Sequence, residues 1–192
     1  GTGKLSDPEV LEGQVERMLR DPRAETLGYI FAAQWLGYEI LGTRIRLDPI
    51  DNPWCTDSLM AAMKKETSMF FNELIRENRP VTELIDADYT YLNEELARHY
   101  GIRGVKGARM RRGALDTAVR GGILGHGSVL ACTSFPGRTS PVVRGNWILS
   151  EILGTPPPPP PPDAGELAER ISENRRLNAR QKLELHSRKA SC

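Results

Sequence analysis

The chain has 192 residues, of which 39% are hydrophobic and 27% are charged, and its formal net charge at pH 7 is +1. These values are typical of a globular protein. No apolar run approaches the ~20 residues that a membrane-spanning helix needs, and no basic segment followed by an apolar stretch marks a secretory signal. Because the chain lacks an initiating Met, we expect an internal fragment of a larger protein.

The small net charge hides an asymmetry along the chain. Residues 1–100 contain 11 basic and 18 acidic residues, whereas residues 101–150 contain 8 basic residues and a single acidic one, Asp116. A basic segment can attract an anionic partner, but the simpler interpretation is that the acidic and basic regions pack together. Aromatic residues make up only 6% and do not alternate with the basic ones, so nucleic-acid binding is not expected.

The first eighty residues have the apolar spacing of helices. Ser6-Asp7-Pro8-Glu9 forms a capping-box pattern that begins one helix, and Asp21-Pro22 begins a second that ends at Gly37. After a loop at 42–55, residues 56–78 form the longest predicted helix. We expect these helices to share a core that contains Phe31, Trp35, Phe70, Phe71 and Leu74.

The remaining elements are shorter. Residues 86–90 read as a turn that caps a following helix, and the one predicted strand spans residues 108–115, so at most one short hairpin is expected, near residues 105–116. The other predicted helices of this region cover residues 81–85, 92–100, 127–132 and 140–154. The predicted fold class is therefore mainly α, a multi-helix bundle.

A run of seven prolines, Pro156–Pro162, follows the last of these helices. Such a run adopts the polyproline II conformation, with a rise of about 3.1 Å per residue. It can act as a ligand for a proline-binding domain, but a stiff linker is the simpler interpretation. A final amphipathic helix is predicted for residues 164–186.

Histidines and carboxylates yield no catalytic or metal site. His126 and Ser128 are two residues apart, and a nucleophile also needs an orienting third group. His99 lies near a helix C-terminus, where a protonated imidazole is favoured. Asp86 and Asp88 supply too few oxygen ligands for a calcium loop.

The three cysteines are Cys55, Cys132 and Cys192. Their wide spacing does not form a disulfide framework or a metal-ligand pair within this chain.

One segment has the pattern of an anion contact. Arg138 and Ser140 precede a predicted helix start, and Arg144 lies in its second turn. Free N–H groups at a helix N-terminus attract phosphate or carboxylate groups. The alternative is an internal salt bridge between these arginines and the acidic N-terminal half.

Several short blocks, in order and spacing, carry a resemblance that covers nearly the whole chain. The blocks are Asp21-Pro22-Arg23-Ala24, Gln34-Trp35-Leu36-Gly37, Asp86 to Glu94, Leu96 to Gly101, Arg120 to Gly125, Arg138 to Val142, Arg144-Gly145 and Leu153 to Pro156. They resemble large planctomycete-type multidomain proteins, which combine adjoining domains of unknown function with cytochrome c-like haem modules. The resemblance implies that residues 1–103 are the C-terminal part of one helical domain. Residues 119–192, with the proline run inside them, would be the N-terminal part of a second, haem-module-associated domain.

The resemblance also implies a role for the C-terminus. Leu183-Glu184-Leu185-His186 and Cys192 match the approach to a Cys-x-x-Cys-His haem-attachment site, so Cys192 would be the first attachment cysteine of the full-length protein. Covalent c-type haem needs two thiols and a proximal His. Since the chain ends at Cys192, no cofactor is expected in this fragment.

We therefore expect a helical scaffold beside a c-type cytochrome-like module, in an exported, periplasmic or extracellular, redox-linked protein. Its partners would be the remainder of the parent chain and electron-transfer proteins or a polysaccharide. The first alternative is a hydrolytic or carbohydrate-processing domain, with a site formed by Arg111, Arg112, Arg138 and Arg144 against the acidic half. The second alternative is a structural interaction module. A deep pocket with convergent carboxylates would favour an enzyme, and a flat surface would favour the module.

Overall fold

A computed structural model describes residues 3–46, 50, 52–135, 138–159, 180, 181 and 184. They belong to two compact units, Gly1–Cys132 and Thr133–Cys192. The amphipathic helix predicted for residues 164–186 lies outside the described residues, apart from residues 180, 181 and 184, and so do His186 and Cys192. The predicted domain boundaries, 1–103 and 119–192, stay a prediction, because a packing unit and a family domain are different things.

After a 3-10 turn, Lys4–Ser6, aspartate–proline pairs begin the next two helical segments. Helix α1, Pro8–Arg20, is capped by Asp7, whose side chain accepts a hydrogen bond from the Glu9 N–H at 3.1 Å. Asp7 therefore caps this helix where Ser6 was predicted to do so. Asp21 repeats the arrangement by accepting from the Arg23 N–H at 2.9 Å, and a 3-10 turn, Pro22–Glu25, follows.

The second predicted helix is composite. A π-helical segment, Leu27–Ala32, continues into the short helix α2, Ala33–Trp35, and Gly37 ends it with φ +74°. A 3-10 turn, Tyr38–Ile40, follows.

Helix α3, Asp57–Arg76, is the centre of the first unit. Thr56 caps it by accepting from the Leu59 N–H at 3.0 Å, and eleven of its residues are buried. Phe70, Phe71 and Leu74 are buried as predicted. Trp35 is half-buried, and Phe31 is 54% exposed, so the prediction that Phe31 is a core residue was wrong. Its ring packs at the edge of the core, with centroids 6.0 Å from both Trp35 and Phe71.

The backbone of the π-helical segment is in direct contact with α3. The Gly28 N–H donates to Asn72 Oδ1 at 2.8 Å, and the Asn72 amide donates to the Glu25 carbonyl at 3.1 Å. Tyr38 donates its hydroxyl proton to the Gly28 carbonyl at 2.7 Å. A Cβ at residue 28 would lie 2.3 Å from the Ser68 carbonyl oxygen, so only glycine allows this approach.

A short antiparallel pair packs against α3. Strand β1, Tyr89–Leu92, pairs with β2, Arg111–Ala114, with Tyr89 opposite Ala114. Helix α5, Glu94–Tyr100, lies between them in the chain, and α4, Glu83–Asp86, precedes them. The strand predicted at 108–115 is present, but its partner lies before α5, so the hairpin near 105–116 is wrong.

Residues 89–92 were predicted as turn and helix. The sequence Tyr-Thr-Tyr-Leu suits a strand because aromatic and β-branched side chains fit a pleated surface, and Tyr89, Thr90 and Leu92 are buried. Helix α5 is capped by Asn93, which accepts from the Leu96 N–H at 2.9 Å. The cap predicted at Asp86 and Asp88 is therefore corrected to Asn93.

The rest of the first unit is a 3-10 turn, Ile123–Gly125, and helix α6, Gly127–Cys132. The second unit contains a two-residue ladder of β3, Ser134–Phe135, with β4, Arg138–Thr139. Helix α7, Pro141–Trp147, follows and continues into a π-helical segment, Ile148–Ile152.

The mainly α prediction is confirmed. Pro156–Pro159 are exposed and form neither helix nor strand, while their polyproline II conformation stays a prediction. Among the described residues, no helix is both long and apolar enough to cross a membrane.

We expect Gly28→Ala to lower the free energy of unfolding by about 2–3 kcal/mol, because the added methyl must push α3 and the π-helical segment apart. The matched control is Gly13→Ala on the exposed face of α1, where a Cβ meets no atom within 4 Å. That change should raise stability by about 0.5–1 kcal/mol through helix propensity. Urea unfolding of both variants measures the difference. Equal stabilities for the two variants would contradict the close contact.

Candidate functional site

Five polar side chains lie together in the core of the first unit. We call Glu66, Thr67, Thr90, His126 and Ser128 the buried polar cluster. None of them is more than 1% exposed. They come from α3, β1 and the start of α6, so three separate parts of the chain must fold to assemble the cluster.

Glu66 is the acidic end of the cluster. It accepts hydrogen bonds from the Thr90 hydroxyl at 2.7 Å and from the Tyr100 hydroxyl at 2.6 Å. The Tyr100 oxygen in turn accepts from the Gly127 N–H at 2.6 Å. The Arg120 guanidinium lies 3.9 Å from the centre of the Tyr100 ring and donates to the Gly125 carbonyl, so a positive charge is held near the carboxyl.

His126 bridges the two threonines. Its Nδ1 lies 3.0 Å from the Thr67 hydroxyl and its Nε2 lies 3.3 Å from the Thr90 hydroxyl. Ser128 contacts the Thr67 hydroxyl at 2.7 Å. Thr67 thus lies between His126 and Ser128, and both of those side chains are buried, so they do not form an exposed nucleophile pair.

The loop that brings His126 into the core requires a small residue. A Cβ at Gly127 would lie 2.9 Å from both Met63 Cγ and the Tyr100 hydroxyl oxygen. The sequence Gly125-His126-Gly127-Ser128 is therefore a close-packing signal. The sequence alone could have indicated close packing at these glycines, but it could not indicate which side chains His126 contacts.

Burial shifts the pKa values of Glu66 and His126 in opposite directions. It raises the pKa of Glu66 from 4.5 to about 7, against the opposing effect of the hydrogen bonds from Tyr100 and Thr90. It lowers the pKa of His126 from 6.5 to about 3, with a smaller contribution from Arg120, so the imidazole is neutral at ordinary pH.

These shifts have opposite consequences for stability. Glu66 favours the fold in its protonated form, so its contribution is complete below pH 4.5 and is lost as the pH rises through about 7. His126 favours the fold in its neutral form, so its contribution is complete above pH 6.5 and is lost as the pH falls toward about 3. Between pH 4.5 and 6.5 the two slopes oppose each other.

We expect Glu66→Gln to remove one of these slopes. Relative to the wild type, its free energy of unfolding should fall by about 1 kcal/mol for each unit that the pH decreases from 6.5 to 4.5. Urea unfolding at a series of pH values measures this. The control is Glu16→Gln, the same substitution on the exposed surface of α1, measured over the same pH series. A parallel curve for Glu66→Gln would show that Glu66 does not titrate as described.

An open groove on the first unit is the second candidate site. Its volume is about 630 Å³, and its lining includes four basic and three acidic side chains together with two tyrosines. The charged and aromatic lining residues are Lys65, Arg76, Arg79, Arg112, Glu25, Glu73, Glu77, Tyr29 and Tyr91. This mixture suits a polar ligand better than an apolar one.

Ion pairs organise part of the groove wall. Arg112 pairs with Glu73 at 3.1 Å, Tyr91 also donates to Glu73, and Arg76 pairs with Glu25 at 3.6 Å. The Arg112 guanidinium stacks 3.7 Å from the centre of the Tyr89 ring. Arg76 and Arg112 remain 37% and 47% exposed, so both side chains are accessible to a ligand.

The predicted anion contact is in the second unit. Ser140 caps α7 by accepting from the Val143 N–H at 3.3 Å. Arg144 donates to the hydroxyls of Thr133 and Ser134 at 3.2 and 3.3 Å. The side chain of Arg138 lies outside the described residues. The anion contact of Arg138, Ser140 and Arg144 therefore stays a prediction.

The remaining candidate residues are His99 and the cysteines Cys55 and Cys132. His99 stacks on Trp54, with ring centres 4.7 Å apart, and burial lowers its pKa, which disfavours the protonated form expected at a helix C-terminus. Burial raises the pKa of the Cys55 thiol, and it raises that of Cys132 to about 11. The part of the chain with described coordinates contains no group of three metal-binding side chains.

Comparison with known families gives two adjacent matches. Residues 120–192 match PSCyt3, a protein of unknown function (DUF1588), and residues 1–102 match PSD4, a protein of unknown function (DUF1592). The two names indicate planctomycete cytochrome c-associated domains. No curated protein and no solved structure matches the chain. Because the PSD4 match spans more than half of its residues, the chain belongs to the DUF1592 family, and a DUF1588 match follows at residues 120–192.

Proposed function

We propose that this chain is a helical scaffold that positions a c-type cytochrome-like module in an exported, redox-linked protein. The buried polar cluster carries the proposal. Glu66, Thr67 and Thr90 belong to the PSD4 match, whereas His126 and Ser128 belong to the PSCyt3 match. The beginning of the cytochrome-associated region is thus part of the core of the preceding domain. Such a shared core would hold the following module in a fixed position.

The described histidines fit this supporting role. Both ring nitrogens of His126 lie within hydrogen-bond distance of threonine hydroxyls, and the His99 ring is stacked on Trp54. The thiol that would hold haem is that of Cys192, which the resemblance places at the first position of an attachment site. Haem bound there would supply one-electron transfer. The residues described here would anchor the region that leads to it.

We expect the parent protein to carry covalent haem when the chain is extended through the rest of the Cys-x-x-Cys-His segment, whose first cysteine the resemblance places at Cys192. Expression in a host that attaches c-type haem should give a Soret band and a haem-stained denatured band. Cys192→Ala should abolish or weaken the stain, because covalent attachment needs both thiols. The matched control, Cys55→Ala, should keep the stain. An extended chain that remains colourless would remove the main support for the electron-transfer role.

The groove favours a second candidate, carbohydrate binding. Arginine side chains present a planar fork that matches a carboxylate, and the partly exposed Arg76, Arg112 and Tyr29 all line the groove. An acidic oligosaccharide offers carboxylates and hydroxyls to such a surface. Hydrolysis would also need a carboxyl that stays protonated near neutral pH. Glu66 has such a raised pKa, but it lies in the core and not in the groove, so the groove supports binding more than catalysis.

We expect oligogalacturonate to bind the full chain, and Arg76→Ala to weaken binding about tenfold, the effect of one lost charged hydrogen bond. Isothermal titration calorimetry measures the affinity. Arg98→Ala, a change of an arginine that is 76% exposed and does not line the groove, serves as the control and should bind as the wild type does. Absence of binding by the wild type, or equal weakening by both variants, would exclude the groove as the site.

A further inference from the structure

The hydrogen-bond donors and acceptors of the buried polar cluster form one continuous chain. The contacts run from Ser128 to Thr67, from Thr67 to His126 Nδ1, from His126 Nε2 to Thr90 and from Thr90 to Glu66. A hydroxyl donates one proton and also accepts, and a neutral imidazole donates from one nitrogen and accepts at the other. The direction of every bond in the chain therefore follows from the state of its ends.

An ionised Glu66 sets one direction. Its Oε1 can only accept, so Thr90 must donate its proton to Glu66. The Thr90 oxygen then accepts from His126, which places the imidazole proton on Nε2. His126 Nδ1 accepts from Thr67, and Thr67 accepts from Ser128. All five side chains are paired in this arrangement.

We propose that the buried polar cluster is a proton-controlled switch, in which one proton bound by Glu66 reverses the chain from Thr90 to Thr67 and moves the imidazole proton of His126 from Nε2 to Nδ1. In the protonated state Glu66 Oε1 donates to Thr90, and Thr90 donates to His126 Nε2. His126 Nδ1–H then donates to Thr67. The four protons on these groups are the three of the ionised state and the one that was added.

The reversed chain also has an acceptor at its end. The Thr67 hydroxyl lies 3.5 Å from the carbonyl oxygen of Met63, which belongs to the preceding turn of α3. It can donate there while its oxygen accepts from both His126 and Ser128, since a hydroxyl oxygen has two lone pairs. Heavy atoms can keep their positions in both states, and no buried polar atom of the described side chains lacks a partner.

The groups around Glu66 determine the pH range in which it titrates. Tyr100 from α5 and Thr90 from β1 donate to it, the positive charge of Arg120 lies near it, and neutral His126 lies beyond Thr90. Burial outweighs these interactions, so the pKa of Glu66 rises to about 7. Because the pKa of His126 falls to about 3, the imidazole stays neutral across this range and can only exchange tautomers.

The test follows the ring nitrogens of His126 by nitrogen-15 NMR on the full chain, from about pH 5 to about pH 9, a range that brackets neutral pH. The signals are assigned with His99→Gln and His186→Gln variants. The protonated and unprotonated nitrogen signals should exchange places as the pH crosses the pKa of Glu66, which the infrared carbonyl band of the buried acid reports independently. One tautomer throughout, or an infrared band that does not titrate, overturns the proposal.

Matched variants separate the switch from a general effect of pH. In Glu66→Gln the tautomer should no longer depend on pH, because residue 66 does not titrate. Thr90→Val keeps the volume and removes the link, so Glu66 should titrate while His126 keeps one tautomer. Thr90→Ser restores the hydroxyl and should restore the exchange. If Glu66→Gln does not fold, the Thr90 pair decides. A tautomer exchange that persists in Thr90→Val overturns the proposal.

Discussion

A carboxyl group without solvent-exposed surface lies at the centre of the first unit, and much of the fold is arranged around it. An ionised carboxylate in such a place would cost several kcal/mol without partners. Glu66 receives hydrogen bonds from α5 and β1, and Arg120 contributes a positive charge from the segment before α6. Each of these elements must be in place before the site is complete. The polar core therefore specifies one arrangement of several chain segments, which apolar contacts alone specify less strictly.

This arrangement explains how two adjacent family matches share one core. The PSD4 match ends at residue 102, yet the first compact unit continues to Cys132. The added segment supplies His126, Gly127 and Ser128, all buried. Its contacts are hydrogen bonds to α3 and α5, in contrast to the loose connection expected of a linker. The start of the PSCyt3 match is structurally a part of the domain before it.

The sequence predicted the helical parts well, because their signals are local. Periodic apolar residues predicted α1 and α3, the Asp7-Pro8 pair marked the start of α1, and Phe70, Phe71 and Leu74 were correctly assigned to the core. Strand β1 was missed although Tyr-Thr-Tyr-Leu favours a strand, because the turn pattern at residues 86–90 was given more weight, and its pairing with β2 across an intervening helix has no local pattern. The predicted cap at Asp86 and Asp88 failed for the same reason, since the strand occupies the place of the turn.

The buried polar cluster was beyond the reach of sequence reasoning. Glu66 and Thr67 lie beside the apolar stripe of α3, and a charged residue in a helix is usually solvent-exposed. Their burial depends on His126 and Thr90, which arrive from distant parts of the chain. The ion pairs of the groove could not be predicted either. Arg112 was identified as part of a basic region, but its pairing with Glu73 depends on strand β1, which was not predicted.

The π-helical segment Leu27–Ala32 has a consequence for how this part of the chain tolerates change in length. A wider turn accommodates one residue more than an α-helical turn, and each residue of an α-helix rotates the next side chain by about 100°. The segment therefore shifts the direction of the side chains that follow it relative to a regular α-helix, and Phe31, within the segment, lies at the edge of the core. Such segments behave as single-residue insertions that a helix has absorbed. A homologue one residue shorter here could return to a regular helix and still present Trp35 to α3.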